Sequence, residues 1–163
     1  MKAGRTIEAM LQELARQSAA KEDYLVNTSC LVMETDGSVP TLRMAGREEV
    51  QLSPLGIRPT AHQQIGTYLG IPAKYYGKML AEDTELLAYN VNRWFQRNPE
   101  QRMLRTIDGH ARAFLSNRYR RIENLDIARF TLPRLAELDG ARVESCEVTE
   151  CTSKWSSPAC RRR

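Results

Sequence analysis

Residues 102–107 and 111–115 are two runs of strand-forming residues in which apolar and polar positions are mixed, and Asp108 and Gly109 lie between them. Asp-Gly between two such runs is among the strongest short-range signals for a β-hairpin. We therefore predict a hairpin over residues 102–115, with these two residues at the centre of its turn.

The pairing across this hairpin follows from the position of the turn. Counting outward from the turn places Arg105 opposite Arg112, and successive side chains then alternate between two faces. One face suits burial and carries Leu104, Ala111, Ala113 and Leu115. The other mixes cations with apolar groups and carries Met103, Arg105, His110, Arg112 and Phe114.

Two arginines placed directly opposite each other destabilise a strand pair, so Arg105 and Arg112 require an anionic partner. One alternative is a carboxylate elsewhere in the fold, since buried charges are generally paired. The other alternative is a phosphate, which would make this face a binding surface.

A basic and aromatic segment follows the hairpin directly and is compatible with the phosphate alternative, although such segments are common on ordinary surfaces. Surfaces that bind single-stranded nucleic acids combine cations for the backbone with aromatic rings for the bases. The sequence therefore predicts a nucleic-acid-binding surface made of Arg105, Arg112, Phe114, Arg118, Tyr119, Arg120 and Arg121.

Helical spacing of apolar residues predicts several helices. The first covers residues 6–20, with Thr6 as its N-cap and an apolar stripe that packs on the domain. Others are expected over residues 60–69, from residue 72, over residues 83–96 and from residue 124. The inward stripe of the helix at 83–96 is predicted to be Leu87, Val91 and Trp94, and Pro133 is expected to kink or restart the last helix.

Short strands are expected at residues 29–33, 41–44, 50–52 and 141–149. With the helices and the hairpin, they predict an α+β fold: helices packed on a small, mainly antiparallel sheet whose centre is the hairpin. Residues 1–150 are predicted to form a single domain, as the length of 163 residues suggests.

Composition places the chain among soluble globular proteins, with 42% hydrophobic and 27% charged residues. No apolar run approaches the roughly 18 residues of a membrane span, and the N-terminus lacks a signal-peptide pattern, so we expect a cytoplasmic protein without a membrane partner. The net charge is +4, and residues 91–121 hold eight arginines against Glu100 and Asp108. The local charge of this region is therefore more informative than the net charge.

The cysteines and histidines do not indicate a metal site. Cys30, Cys146, Cys151 and Cys160 match no CxxC spacing, and the chain has only two histidines. Cys30 lies in an apolar run and is expected in the core. No disulfide framework, metal or cofactor is therefore expected.

The sequence favours a non-enzymatic protein, and no catalytic residue is assigned. His110 lies in the hairpin turn, where a histidine is usually exposed, and His62 near the start of a helix suggests a structural or exposed residue. No serine or cysteine has a base partner at motif spacing, and there is no glycine-rich phosphate loop.

Residues 151–163 are an irregular basic tail that shows neither the helical nor the strand period of apolar residues. Reading their back-translation from the last base of the Glu150 codon permits Met-His-Ile-Lys-Val-Val-Lys-Pro-Arg-Leu, which suits a β-strand. One hypothesis is that a frameshift produced the tail. The alternative is a natural disordered basic tail.

Four segments together resemble the phage- and plasmid-like family known as domain of unknown function 932. They are LGIPAKYYGKML (69–80), AYNVNRWF (88–95), RMLRTIDGHARAFLSNRYRRIEN (102–124) and VESCEVTE (143–150). Members of that family are longer at the C-terminus and continue with a strand of Tyr-Ile-Lys type, which the frame-shifted reading resembles. The resemblance implies a mobile-element setting but no assigned activity.

Two functions from different classes follow. The first is nucleic-acid binding, to single-stranded or duplex DNA, in the replication, recombination or maintenance of a phage or plasmid. The second is a protein-interaction module, for example one that counters a host defence complex through its charged surface. Self-association is a further expectation, because a truncated domain can leave a sheet edge unpaired.

Overall fold

A computed structural model describes residues 6–37, 39–45 and 53–137. This part of the chain is an α+β fold with five helices and six strands, as predicted. The helices are α1 (Ile7–Ala19), α2 (Pro59–Tyr68), α3 (Ala73–Glu82), α4 (Thr84–Arg97) and α5 (Asn124–Ala136). The strands are β1 (Lys21–Asn27), β2 (Leu31–Asp36), β3 (Val39–Met44), β4 (Leu55–Ile57), β5 (Gln101–Ile107) and β6 (His110–Ser116).

The strands form a single sheet in the order β1-β5-β6-β4-β3-β2. The predicted hairpin, β5 with β6, lies at its centre, and all pairs are antiparallel except β4 with β6. Neither β1 nor β4 was predicted from the sequence. β1 pairs with the distant β5, and β4 has only three residues and joins β3 to the distant β6, so local patterns carry little signal for them.

The main core lies between the sheet and the helices α2, α3 and α4. Its largest fully buried side chains include Phe95 from α4 and Phe114 from β6, whose rings stack with their centroids 5.8 Å apart. A second cluster joins α1 to α5 through Leu14, Leu125 and Ala128. The predicted amphipathic helix α1, capped by Thr6, thus packs on the domain as expected.

The structure corrects several details of the elements. Trp94 is 38% exposed, and Phe95 takes the predicted inward position beside Leu87 and Val91. The helix α5 continues through Pro133 to Ala136, so of the two predicted effects of Pro133 the restart does not occur. Cys30 is only partly buried.

Three predicted segments lie outside the described residues. They are the strands at 50–52 and 141–149 and the basic tail at 151–163. The frameshift hypothesis for the tail stays a prediction.

Candidate nucleic-acid interface

The hairpin turn has the geometry that its sequence requires. Asp108 has φ of 49° and Gly109 has φ of 72°, so both central residues lie in the left-handed region. Two-residue turns of this kind match the twist of the flanking strands. Arg16 of α1 donates to the Asp108 carboxylate at 3.2 Å, which ties the turn to that helix.

The predicted pairing of Arg105 with Arg112 is wrong, because the hairpin contains an irregularity. The register shifts between Arg105 and Thr106: Thr106 pairs with Ala111, but Arg105 pairs with Ala113. Arg112 is the extra residue of a β-bulge and has no partner across the strand pair. No clash of like charges therefore needs to be relieved by a phosphate at this point.

The same shift moves Phe114 away from the predicted binding face. Phe114 pairs with Leu104 instead of Met103, and its ring is 1% exposed within the main core. A ring at this depth cannot stack on a nucleic-acid base. Its predicted role as a stacking platform does not agree with the structure.

The Arg105 side chain lies on the face of the sheet opposite to that of Phe114. Its partners are carboxylates, which is the first of the two predicted alternatives. Its side chain is 6% exposed, and its Nε donates to Asp23 Oδ1 of the neighbouring strand β1 at 2.9 Å. Its Nη2 donates to Glu123, just before α5. Glu123 also accepts from Lys21 Nζ, and Asp23 accepts from Arg121 Nη1 at 3.1 Å.

Protonation in this network follows from burial and from hydrogen bonding. Burial opposes ionisation of Glu123, but hydrogen bonds from Lys21 and Arg105 outweigh it and lower its pKa. Burial would likewise lower the pKa of Arg105, yet the bonds to Asp23 and Glu123 raise it. Arg105 and Glu123 therefore stay ionised at neutral pH, and the network joins β1, β5 and the start of α5.

The segment from Asn117 to Ile122 remains as the exposed part of the predicted surface. Arg118, Tyr119, Arg120 and Arg121 are all exposed. Within the described residues, Arg118 and Arg120 make no ion pair or side-chain hydrogen bond, whereas Arg121 pairs with Asp23. The Tyr119 N–H donates to the Ser116 carbonyl at 3.1 Å, which turns the chain as it leaves β6.

A groove of about 410 Å³ lies beside this segment, between α2 and the outer end of the hairpin. Arg102 of β5 lies in it, with its guanidinium 4.4 Å from the ring centroid of Tyr68 and 5.2 Å from that of Phe114. Ser116, paired with Arg102, lines the groove two residues before Arg118. Sequence reasoning missed this site, because α2 and β5 are distant in the chain and Arg102 resembles any arginine in a strand.

A second, more apolar cavity of about 320 Å³ lies between α2 and α3. His62 and Tyr76 line it, and His62 Nδ1 lies 2.9 Å from the Tyr76 hydroxyl. Burial lowers the pKa of His62 to about 4, so the ring is neutral at pH 7. His62 is 8% exposed and is a structural residue, one of the two predicted alternatives.

The remaining candidate groups in the described part of the chain are His110 and the possible metal ligands. His110 is exposed, as predicted, and its Nδ1–H donates to the Asp108 carbonyl at 2.7 Å. Residues 6–37, 39–45 and 53–137 contain no group of three or more His, Cys, Asp or Glu side chains placed to hold a metal ion. Among these same residues, no helix combines the length and the apolar character needed to cross a membrane.

Comparisons with protein-family models, with curated proteins and with solved structures find no match to this chain. The resemblance to the domain of unknown function 932 family accordingly stays a prediction from the quoted motifs.

Proposed function

We propose that this protein binds nucleic acid through the exposed segment Arg118-Tyr119-Arg120-Arg121. The observation that carries the proposal is that Arg118 and Arg120 are exposed and have no carboxylate partner among the described residues. Arg105, which is buried and paired with Asp23 and Glu123, serves the fold instead.

The chemistry of the segment suits a strand of nucleic acid. Exposed arginines neutralise backbone phosphates and release counterions, which supplies most of the affinity of binding without sequence preference. Tyr119 is 41% exposed and lies between the arginines, where its ring can stack on an unpaired base. A single-stranded partner is therefore favoured over a duplex, whose bases are already stacked.

The charge distribution around the segment supports the same partner. Beyond Asn117, four basic or aromatic residues follow in sequence before Glu123, and Glu123 is occupied by Lys21 and Arg105. Arg118 and Arg120 thus add exposed positive charge to this surface, and such charge also speeds encounter with a polyanion. Replication, recombination or maintenance of a mobile element is the setting implied by the resemblance.

A second candidate is a protein-interaction module. It is favoured by exposed apolar side chains on and beside α5, where Ile122, Ile127 and Phe130 are between 47% and 68% exposed. Aromatic and apolar groups of this kind are typical anchors of protein interfaces. Binding through them would depend little on salt.

The test is fluorescence anisotropy of labelled single-stranded and duplex DNA with the wild type and the Arg118→Ala/Arg120→Ala variant. Each lost phosphate contact should cost about 1 kcal/mol, so we expect the double variant to bind about 30-fold more weakly. Both side chains are exposed, so the thermal midpoint should not change.

The matched control is Arg93→Ala/Arg129→Ala, which removes two exposed arginines from α4 and α5 and the same net charge. Its affinity should stay within about threefold of the wild type, as expected for a general charge effect on association. Equal losses in the two variants would show that only net charge matters. Absence of binding to either DNA at low salt would reject the proposal and favour the protein-interaction module.

A further inference from the structure

The groove between α2 and the hairpin offers more hydrogen-bond donors than its own residues use. Its lining contains no aspartate or glutamate and consists of Thr60, Gln63, Gln64, Thr67, Tyr68, Arg102, Phe114, Leu115 and Ser116. A lining of this composition suits a ligand rich in acceptors.

Arg102 is the centre of this donor set. Its Nε is fully buried and has no hydrogen-bond partner among the described residues. Among the described residues it has one carboxylate neighbour, the exposed Glu100, which lies 3.9 Å from Nη1, beyond hydrogen-bond distance. Since Nε is closed to solvent, a ligand in the groove would reach the guanidinium through its Nη groups, the outer part of the planar fork that pairs with phosphate oxygens.

The aromatic rings fix the guanidinium in place. Arg102 lies over the rings of Tyr68 and Phe114, and both rings belong to the packed layer beneath it. A guanidinium held in this way loses little conformational entropy when it binds, and its planar fork matches the geometry of a phosphate.

Two amides extend the donor set along α2. Gln64 accepts the Phe114 N–H through its Oε1 at 2.6 Å, which leaves its NH₂ group without an acceptor among the described residues. The side chain of Gln63, one residue earlier, is exposed and makes no hydrogen bond in the same part of the structure. Amide groups of this kind can read the polar edge of a base.

We infer that the groove binds one nucleotide, with its phosphate on Arg102 and its base towards Gln63 and Gln64. This rests on the proposed function, because Ser116 connects the groove directly to the Arg118–Arg121 segment, which would hold the neighbouring phosphates. The groove volume of about 410 Å³ exceeds that of a phosphate alone and suits a nucleotide. The phosphate has two sources, a nucleic-acid strand or a free mononucleotide.

The experiment follows the arginine Nε–H signals of the ¹⁵N-labelled wild type by NMR. Four ligands are titrated separately: a thymidine oligonucleotide, thymidine 5′-monophosphate, inorganic phosphate and thymidine. We expect the Arg102 Nε–H signal to move with the phosphate-bearing ligands and not with thymidine, because an anion bound at the Nη groups changes the electron distribution of the whole guanidinium. The Arg97 signal, from an exposed arginine over the Trp94 ring, is the internal reference.

Each outcome separates the groove from the Arg118–Arg121 segment. An oligonucleotide that binds without moving the Arg102 signal would overturn the inference and leave the proposed function intact. A signal that moves with the monophosphate while no oligonucleotide binds would support a free-nucleotide site and overturn the strand-binding function. Equal movement with thymidine and with its monophosphate would overturn the assignment of phosphate to Arg102.

A variant series gives an independent readout. Arg102→Gln should weaken oligonucleotide binding about tenfold, the value of one charge-assisted hydrogen bond, and Arg102→Lys should recover part of the loss because it keeps the charge. Arg97→Gln removes the same charge from a guanidinium that lies over an aromatic ring outside the groove. Its affinity for the oligonucleotide should stay within about twofold of that of the wild type. If Arg102→Gln lowers stability, Gln63→Ala tests the groove from an exposed position. Affinities equal to that of the wild type in Arg102→Gln and Gln63→Ala would overturn the inference.

Discussion

Replacing Arg105 with alanine should destabilise the fold strongly, because it removes the centre of a buried charge network. The Arg105 side chain is 6% exposed and bonds to both Asp23 and Glu123. Removing one member of a buried ion pair costs about 3–5 kcal/mol. Asp23 keeps Arg121 and Glu123 keeps Lys21, so we expect the lower end, a loss of about 3 kcal/mol in the free energy of unfolding.

Urea denaturation at pH 7 measures this loss. With a slope of about 2 kcal/mol per M, the midpoint should fall by about 1.5 M at unchanged slope. The control is Arg112→Ala, which removes the partly buried arginine of the bulge and should change the unfolding free energy by about 0.5 kcal/mol at most. A loss below about 1 kcal/mol for Arg105→Ala would refute the idea that this arginine is a structural centre.

Three further predictions concern stability. Burial lowers the pKa of His62 from 6.5 to about 4, so the unfolded chain takes up a proton at a higher pH than the folded protein. The free energy of unfolding should therefore fall by up to about 3 kcal/mol as the pH drops from 6.5 to 4. Urea titrations should show this extra fall in the wild type and not in His62→Gln. Gly66→Ala places a Cβ 2.9 Å from the Tyr76 ring and should lower the free energy of unfolding by about 1–3 kcal/mol. Gly77→Ala has open space around its Cβ and should stabilise the protein by up to about 1 kcal/mol. Thermal melts measure both effects. Gly109→Ala should cost about 1–2 kcal/mol, because φ there is 72°, and an unchanged thermal midpoint would contradict the turn geometry.

The sequence predicted those parts of the fold whose signals are local. The Asp-Gly turn determines the hairpin, and Thr6 with the stripe around Leu14 determines α1. The bulge at Arg112 was not predictable in this way, because no local residue pattern marks the register shift between Arg105 and Thr106. The strand β4, which pairs with β6, comes from a region of proline and glycine that indicates a loop.

The strand β1 was not predictable from local sequence either. Its sequence KEDYLVN begins with three charged residues and has no regular apolar alternation. It becomes a strand because it pairs with β5 from about eighty residues away, and Asp23 meets Arg105 there. A polar strand at the edge of a sheet is stabilised by such contacts more than by propensity.

The candidate site was only partly accessible to sequence reasoning. The exposure of Arg118 to Arg121 agrees with their predicted place on a surface, and the carboxylate alternative for Arg105 is confirmed. The Arg102 groove needed the structure, because Tyr68 and Arg102 meet only when α2 packs against β6.

The dependence of oligonucleotide binding on salt tests the central claim most directly. For a single strand, the slope of log K against log salt falls by about 0.7 for each phosphate contact that is lost. We expect the slope of Arg118→Ala/Arg120→Ala to be shallower than that of the wild type by about 1.4, and that of Arg93→Ala/Arg129→Ala to be unchanged. Equal slopes in wild type and Arg118→Ala/Arg120→Ala would contradict a phosphate-binding role for this segment.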